Sequence, residues 1–267
     1  MDRKLNALFI FLLIVLFISV ASVSQQWNII LGIGLAIVVT FPSFIGGKLT
    51  LDGMFAAIVV GVFVFGFGGW AAAVLLLLFF LSSAILSGHS DVEALKGSSR
   101  RNGLQVWANG LWVVLFFVFF AIFESPVLVV GAIGALAAAA ADTWGTEIGA
   151  MLARTTYCIT NFKEVKPGTD GGVSVPGTAA SLVGSALIAF ASLFIFSFSQ
   201  PVAICIFSAG FLGSVLDSYF GAIFQRNNGT VPLPFTERSF SFDNNAVNVI
   251  STGMGAMLAI TLKLIFV

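Results

Sequence analysis

The chain has 267 residues, of which 58% are hydrophobic and 9% charged, against the ~25% charged residues usual in soluble domains. That composition excludes a water-soluble globule, and a formal net charge of zero with scattered basic residues excludes a nucleic-acid partner. Cys158, Cys205 and His89 are the whole stock of thiols and imidazoles, too few for a zinc site, so any metal must be held by oxygen, as Mg²⁺ is.

Nine apolar runs are long enough to cross a bilayer. They predict an all-α integral membrane protein, a polytopic bundle of about nine transmembrane helices in one domain over residues 1–267. The first run, Leu5 to Val23, is longer than the ~7–15 apolar residues of a signal peptide and reads as a span. The others are Asn28 to Phe44, Leu51 to Phe67, Trp70 to Leu86, Leu104 to Phe123, Val127 to Ala153, Gly177 to Phe198, Val202 to Phe224 and Asn245 to Phe266.

Lys and Arg accumulate in cytoplasmic loops. A cytoplasmic N-terminus makes residues 1–4, 45–50, 87–103, 154–176 and 225–244 the inner segments. These hold every basic residue except Lys263, which can snorkel to the headgroups. The outer loops are short and carry Glu124 alone. A multi-pass protein is expected, in the cell membrane if the source is a prokaryote, with its chemistry at the inner face. The sequon Asn228-Gly229-Thr230 then lies inside, away from glycosylation.

Ionisable groups inside spans are costly and mark function. Asp142 and Glu147 fall in the sixth span and Asp217 in the eighth, and neither span holds an obvious basic partner. In straight helices Asp142 lies about 18 Å from Arg154 and Asp217 about 13 Å from Arg226. Gly145 and Gly149 are expected to loosen the sixth span and bring Asp142 nearer the cytosol. Two acids without a cation call for one from outside, and Mg²⁺ carried by a nucleotide meets that need. Glu147, five residues on, points off by about 140°.

The fifth span opens Arg100-Arg101-Asn102, and Asn102, Gln105 and Asn109 form a polar stripe on it. Such amides either join helices or, beside two arginines, hold phosphate. The loop from Lys163 through Lys166-Pro-Gly168-Thr169-Asp170-Gly171-Gly172-Val-Ser174 to Thr178 has the glycines, charge and hydroxyls of a phosphate cradle ahead of a helix N-terminus. Gly213-Ser214-x-x-Asp217-Ser218-x-x-Gly221 places small residues for close helix packing. Asn244, Asn248 and Ser251 form a stripe at the start of the ninth span, where Asp243 serves equally as N-cap or ligand. The stretch before Lys48 fails as a Walker A loop, with Pro42 and Leu49 in place of the required Gly and Ser/Thr.

These clusters together resemble the family of transmembrane protein 19 and phytyl-phosphate kinase, long catalogued as a domain of unknown function. The matching stretches begin at Arg100, Ala141, Pro167, Gly213 and Asp243 and run in family order over about residues 88–252. Residues 142–178 are more distantly similar to CTP-dependent phytol and dolichol kinases and to membrane cytidylyltransferases. The resemblance implies transfer of the CTP γ-phosphoryl to a membrane isoprenoid (phytyl or polyprenyl) monophosphate. It assigns Asp142 and Asp217 to Mg²⁺, with Glu147 as a further ligand or base. Phosphate and nucleotide then fall to Arg100, Arg101, Asn102, Gln105, Asn109, Lys166, Thr169, Gly171, Gly172, Ser174, Asn244 and Asn248. The family pattern leads one to expect an acid where Asn245 stands, so the ninth-span site carries less charge. The partners expected are the lipid phosphate, the nucleotide and membrane lipids; self-association as a homo-oligomer is left open.

A cytidylyltransferase and an isoprenoid alcohol kinase are alternatives, as is a transporter of an anionic metabolite or lipid. The last predicts polar residues continuing toward the outer face, where these spans are apolar. A CDP-alcohol transferase has only Asp52-Gly53 of its signature here.

Overall fold

The computed structural model describes residues 2–87, 100–225, 230–232 and 239–267. Lys96, Arg226 and Arg238 of the expected inner segments, and Asn228 and Gly229 of the sequon, lie outside the described residues. The helices are α1 (Asp2–Ser19), α2 (Val23–Ile45), α3 (Leu51–Leu86), α4 (Gly103–Phe123), α5 (Pro126–Leu152), α6 (Val175–Ile195), α7 (Gln200–Phe220) and α8 (Asn244–Phe266). One π-helical turn, Gly221–Gln225, continues α7.

Among the described residues seven helices are long and apolar enough to cross a membrane, rather than the nine expected, and both differences have a physical reason. α1 is 18 residues long and opens on Asp2, Arg3 and Lys4, which leaves its apolar stretch short of a full span. The expected third and fourth spans are both present but are counted together as α3, whose 36 residues are broken by non-helical geometry at Gly69 (φ 69°, ψ −164°). A left-handed φ of this kind is open to glycine. Straight, α3 would reach about 54 Å, far beyond the ~30 Å hydrocarbon layer. Its ends meet instead: the Thr50 N–H donates to Arg101 O at 3.0 Å, and Ser87 Oγ accepts from Arg101 Nη2 at 2.9 Å. α3 is therefore two arms folded back at Gly69.

α5 is the hub. It packs against α3, α4, α6, α7 and α8, and every residue from Val129 to Ala141 is buried. The alanine run has its reason here. A Cβ on Gly213 of α7 or Gly255 of α8 would come within 2.7 or 2.6 Å of Ala138 Cβ. Small residues on three helices let backbones close on one another, which is how helices hold together where lipid is as apolar as the side chains.

The glycines expected to loosen the sixth span do the opposite. α5 is one continuous helix to Leu152. A Cβ on Gly145 would collide with Ser181 Oγ, and one on Gly149 would sit 3.2 Å from Gly177 Cα. These positions bring α5 against α6 at the level of Asp142 and Glu147.

Between α5 and α6 lies a small antiparallel sheet, ordered β2 (Glu164–Val165), β1 (Thr156–Cys158), β3 (Gly172–Val173), with Thr156 opposite Val165 and Cys158 opposite Gly172. It pins both ends of the glycine loop. A second pair, β4 (Thr230–Pro232) and β5 (Ser239–Ser241), precedes α8. The segments expected on the inner side gather at one end of the bundle. Leu49 bridges Arg101, Ser87 bonds Glu147, and Arg3 lies 3.6 Å from Asp52. Gly53 lets the first turn of α3 sit on the Arg101 carbonyl.

Candidate functional site

At that end the helices enclose a cavity of about 290 Å³. α5 contributes Asp142 and Glu147, α7 Asp217, α8 Asn244 and Asn248, and α4 Gln105 and Asn109, with Arg101 just ahead of α4. Thr169, Gly171, Gly172 and Ser174 enter from the sheet-pinned loop. Arg100, Asn102 and Lys166 do not line it. Lys166 is exposed, and the Arg100 guanidinium lies beside Gly47.

Several of these side chains have local partners. Asp217 is held from α8: Ser251 Oγ donates to its Oδ2 at 2.7 Å. The Asn248 amide, oriented with nitrogen toward the carboxylate, donates to the same oxygen at 2.9 Å and to Asn244 O at 3.1 Å. Asn248 therefore aims an acid as well as facing the cavity. Glu147 is buried, 7% exposed, and receives Ser87 Oγ at 2.9 Å, while Ser87 receives Arg101. The end of α3 thus joins a carboxylate of α5 to the arginine ahead of α4.

Asn102 is the N-cap of α4, accepting the Gln105 N–H at 3.0 Å, and Gln105 Oε1 accepts the Asn102 N–H at 2.9 Å. This is a capping box, which accounts for two of the three residues of the polar stripe by helix initiation. Ser174 caps α6 through the Gly177 N–H, and Asp243 caps α8 through the Ala246 N–H at 2.9 Å. Thr169 Oγ1 closes its own turn on Lys166 O at 2.7 Å, and the Gly172 N–H bonds Thr169 O at 2.9 Å. Those donors build the loop. Gly171 has φ 75°, and a Cβ there would run into Ala222, so the loop is seated directly on the π-turn.

Sequence reading missed Asp170, Thr146, Ser181, Ser214, Ser218 and Gln225 as lining residues. Asp170 between glycines was the legible signal. Ser181 and Ser214 pair at 3.2 Å across α6 and α7, which no spacing within one helix reveals. The two acids thought to lack a basic partner share the cavity with Arg101, which arrives from the segment just ahead of α4. Among the described residues no three Asp, Glu, His or Cys side chains form a group that could hold a metal ion. A hard cation here would take one or two carboxylates and complete its shell from phosphate oxygens and water, the habit of Mg²⁺. Asp52 pairs with Arg3 and does not line the cavity.

Fold and site define an integral, multi-pass membrane protein with a polar, carboxylate-bearing cavity at one end of an otherwise apolar bundle. The family described as integral membrane protein DUF92 matches residues 34–256, and the chain belongs to it. It is 31% identical to Protein PGR of Arabidopsis thaliana over 85% of this chain and 93% of that protein. An uncharacterized membrane protein of Methanocaldococcus jannaschii is 30% identical over 78% of this chain and 83% of its own length. The chloroplastic Protein VTE6 of Arabidopsis thaliana is 34% identical over 46% of this chain and 34% of that protein. No solved structure matches.

Proposed function

We propose that this chain is a membrane kinase that transfers the γ-phosphoryl of CTP to an isoprenoid (phytyl or polyprenyl) monophosphate, giving the diphosphate, at the cytoplasmic end of the bundle. The observation that carries the reading is one cavity bringing together Asp142 and Asp217 from separate helices, Arg101, and a glycine loop held by a small sheet. The family resemblance to phytyl-phosphate kinase and the partial likeness to VTE6 support the reaction class, and CTP rests on the resemblance alone.

Phosphoryl transfer needs positioning and charge neutralisation more than covalent chemistry. Asp142 and Asp217 are the residues that would hold Mg²⁺, with Ser251 and Asn248 keeping Asp217 aimed. Such an ion supplies neutralisation of the transferring group's negative charge. The Arg101 guanidinium offers paired N–H donors to a phosphate, and the contact with Ser87 fixes its direction. An oxygen of the acceptor monophosphate attacks the γ-phosphorus, the bond to the β–γ bridging oxygen breaks, and CDP leaves with the electron pair. A dianionic acceptor needs no base. The isoprenoid tail stays in the bilayer.

A transporter is less favoured, because α5 from Val129 to Ala141 is buried among apolar side chains and the hydroxyls near it, Ser185 and Ser192, bond backbone carbonyls. The test is phosphate transfer from γ-labelled CTP and ATP, with Mg²⁺, to phytyl, farnesyl and geranylgeranyl monophosphates in detergent micelles. Diphosphate from the wild type and none from Asp142→Asn is expected. CTP binding without transfer would favour a cytidylyltransferase, and no nucleotide binding a transporter.

A further inference from the structure

The cavity has two flanks, because α4 packs against α8 and α6 against α7. Arg101, Gln105 and Asn109 line the first. Ser181 of α6 and Phe211, Ser214 and Val215 of α7 line the second, and these side chains have no part in the transfer described above. Ser181 and Ser214 are each 6% exposed, with their hydroxyl oxygens 3.2 Å apart. A hydroxyl carries one proton and two acceptor positions. Their mutual bond uses one of the pair's two protons, and among the described residues neither serine has another hydrogen bond. One buried O–H in the cavity wall is thus left without an acceptor on the protein, a state that calls for an explanation. Gly145 holds the pair in place, since a Cβ there would collide with Ser181 Oγ.

Away from the cavity's mouth this flank turns apolar. α7 runs toward the cavity end of the bundle, so Ser214 lies about 4.5 Å deeper than Asp217 and Phe211 about 9 Å deeper. Phe211 and Val215, one turn apart, line the cavity and are half-buried. Leu212 beside Phe211 is 42% exposed and Leu182 beside Ser181 is 37% exposed, both within helices long and apolar enough to span a bilayer. The cavity wall therefore continues into the lipid-facing surface across Val215 and Phe211. Deeper still α6 and α7 are joined, Ser185 Oγ donating to Phe207 O at 2.7 Å with the Phe190 ring beside Phe207.

We infer that the α6–α7 flank seats the acceptor: a phosphate oxygen of the isoprenoid monophosphate takes the spare proton of the Ser181–Ser214 pair, and the tail leaves across Val215 and Phe211 into the bilayer. This rests on the kinase reading and names the acceptor's side of that site. A molecule with a charged head and an apolar tail needs a wall that supplies a donor at one level and hydrocarbon at the next. The donor nucleotide then falls to the α4 flank with Arg101, and Asp142 of the hub helix stands between the two.

Farnesyl monophosphate carrying a diazirine in its tail, photolysed with the full chain in detergent, reads the seat directly once adducts are mapped by mass spectrometry. Labelling is expected at Leu182, Phe211, Leu212 or Val215, suppressed by excess geranylgeranyl monophosphate and not by CTP. Suppressible labelling on α4 or α8 instead, or none while the chain still binds CTP, overturns the seat and leaves the kinase reading standing. Labelling at the expected residues in a chain that transfers no phosphate keeps the seat and sinks the kinase. The serines are read by the affinities of farnesyl monophosphate and CTP. Ser181→Ala and Ser214→Ala each leave one hydroxyl that can still donate, so lipid phosphate binding should stay within about threefold of wild type, whereas the double variant should weaken it about tenfold, the worth of one hydrogen bond. CTP affinity should hold throughout. Equal losses for both ligands, or a double variant that binds the lipid phosphate undiminished, overturns the assignment of the pair.

Discussion

From Val129 to Ala141, α5 touches its neighbours through methyl groups and glycine backbones, and every residue is buried. From Asp142 to Gly149 the same unbroken helix carries Asp142, Thr143, Thr146 and Glu147 along a cavity. Both stretches pack tightly. In the first, small side chains bring five other helices close to one axis, and in the second, glycines at 145 and 149 keep α6 equally close while polar groups open a space beside it. The contrast teaches that the rigid half holds the polar half. Acids on a helix clamped along its length keep their positions without help from a ligand.

That division can be broken from either side. Asp142→Asn and Asp217→Asn should each lower kcat on the order of 10³-fold, the scale of removing charge stabilisation from a phosphoryl-transfer site, with the melting temperature nearly unchanged. Activity retained in both variants would remove the acids from the chemistry. Ala138→Leu acts on the other half. It drives a larger side chain onto Gly213 and Gly255 and should destabilise by about 3 kcal/mol, read by thermal unfolding in detergent. A fully stable variant would mean that the hub tolerates volume and is not the frame.

Smaller changes sharpen the boundary. Ser251→Ala removes the 2.7 Å bond to Asp217 Oδ2 and should cut kcat about tenfold, worth ~1.4 kcal/mol, with substrate binding little altered. Ser251→Thr should restore it. Asn102→Ala should cost about 1 kcal/mol of stability as a lost N-cap with kcat unchanged. Asn102→Asp should behave as wild type in both. A kcat loss in Asn102→Ala larger than the stability loss explains would return Asn102 to the phosphate site.

Much of the fold was legible because long apolar runs in a nearly uncharged chain leave few arrangements. The span count was not. Gly69 stands between two apolar runs, and whether the chain ends one helix there or folds one helix back depends on a single φ and on Arg101 binding both ends of α3. The site was legible in part. Asp142, Asp217 and Arg101 stand out as charges in apolar surroundings, and they do line one cavity. Asn102 and Asp243 carry the same residue types as ligands but cap helices away from the cavity lining, and Ser174 caps α6 while lining it, because a polar side chain at a helix start meets unpaired backbone N–H groups first. Gln225 gave no signal at all, since one amide at the end of a span resembles any interfacial residue.

By itself the sequence determined a polytopic helical membrane protein, its apolar runs, and the acids that apolar surroundings make expensive, because hydrophobicity and charge act locally and need no partner to be read. Tertiary structure alone decided that α5 is the hub, that Arg101 stands in the cavity with the acids, that Ser251 and Asn248 hold Asp217, and that Gly171 lets its loop sit on Ala222 of the π-turn. Each of these depends on atoms distant in sequence meeting at van der Waals or hydrogen-bond distance, and no periodicity along one helix encodes which face of another will arrive there.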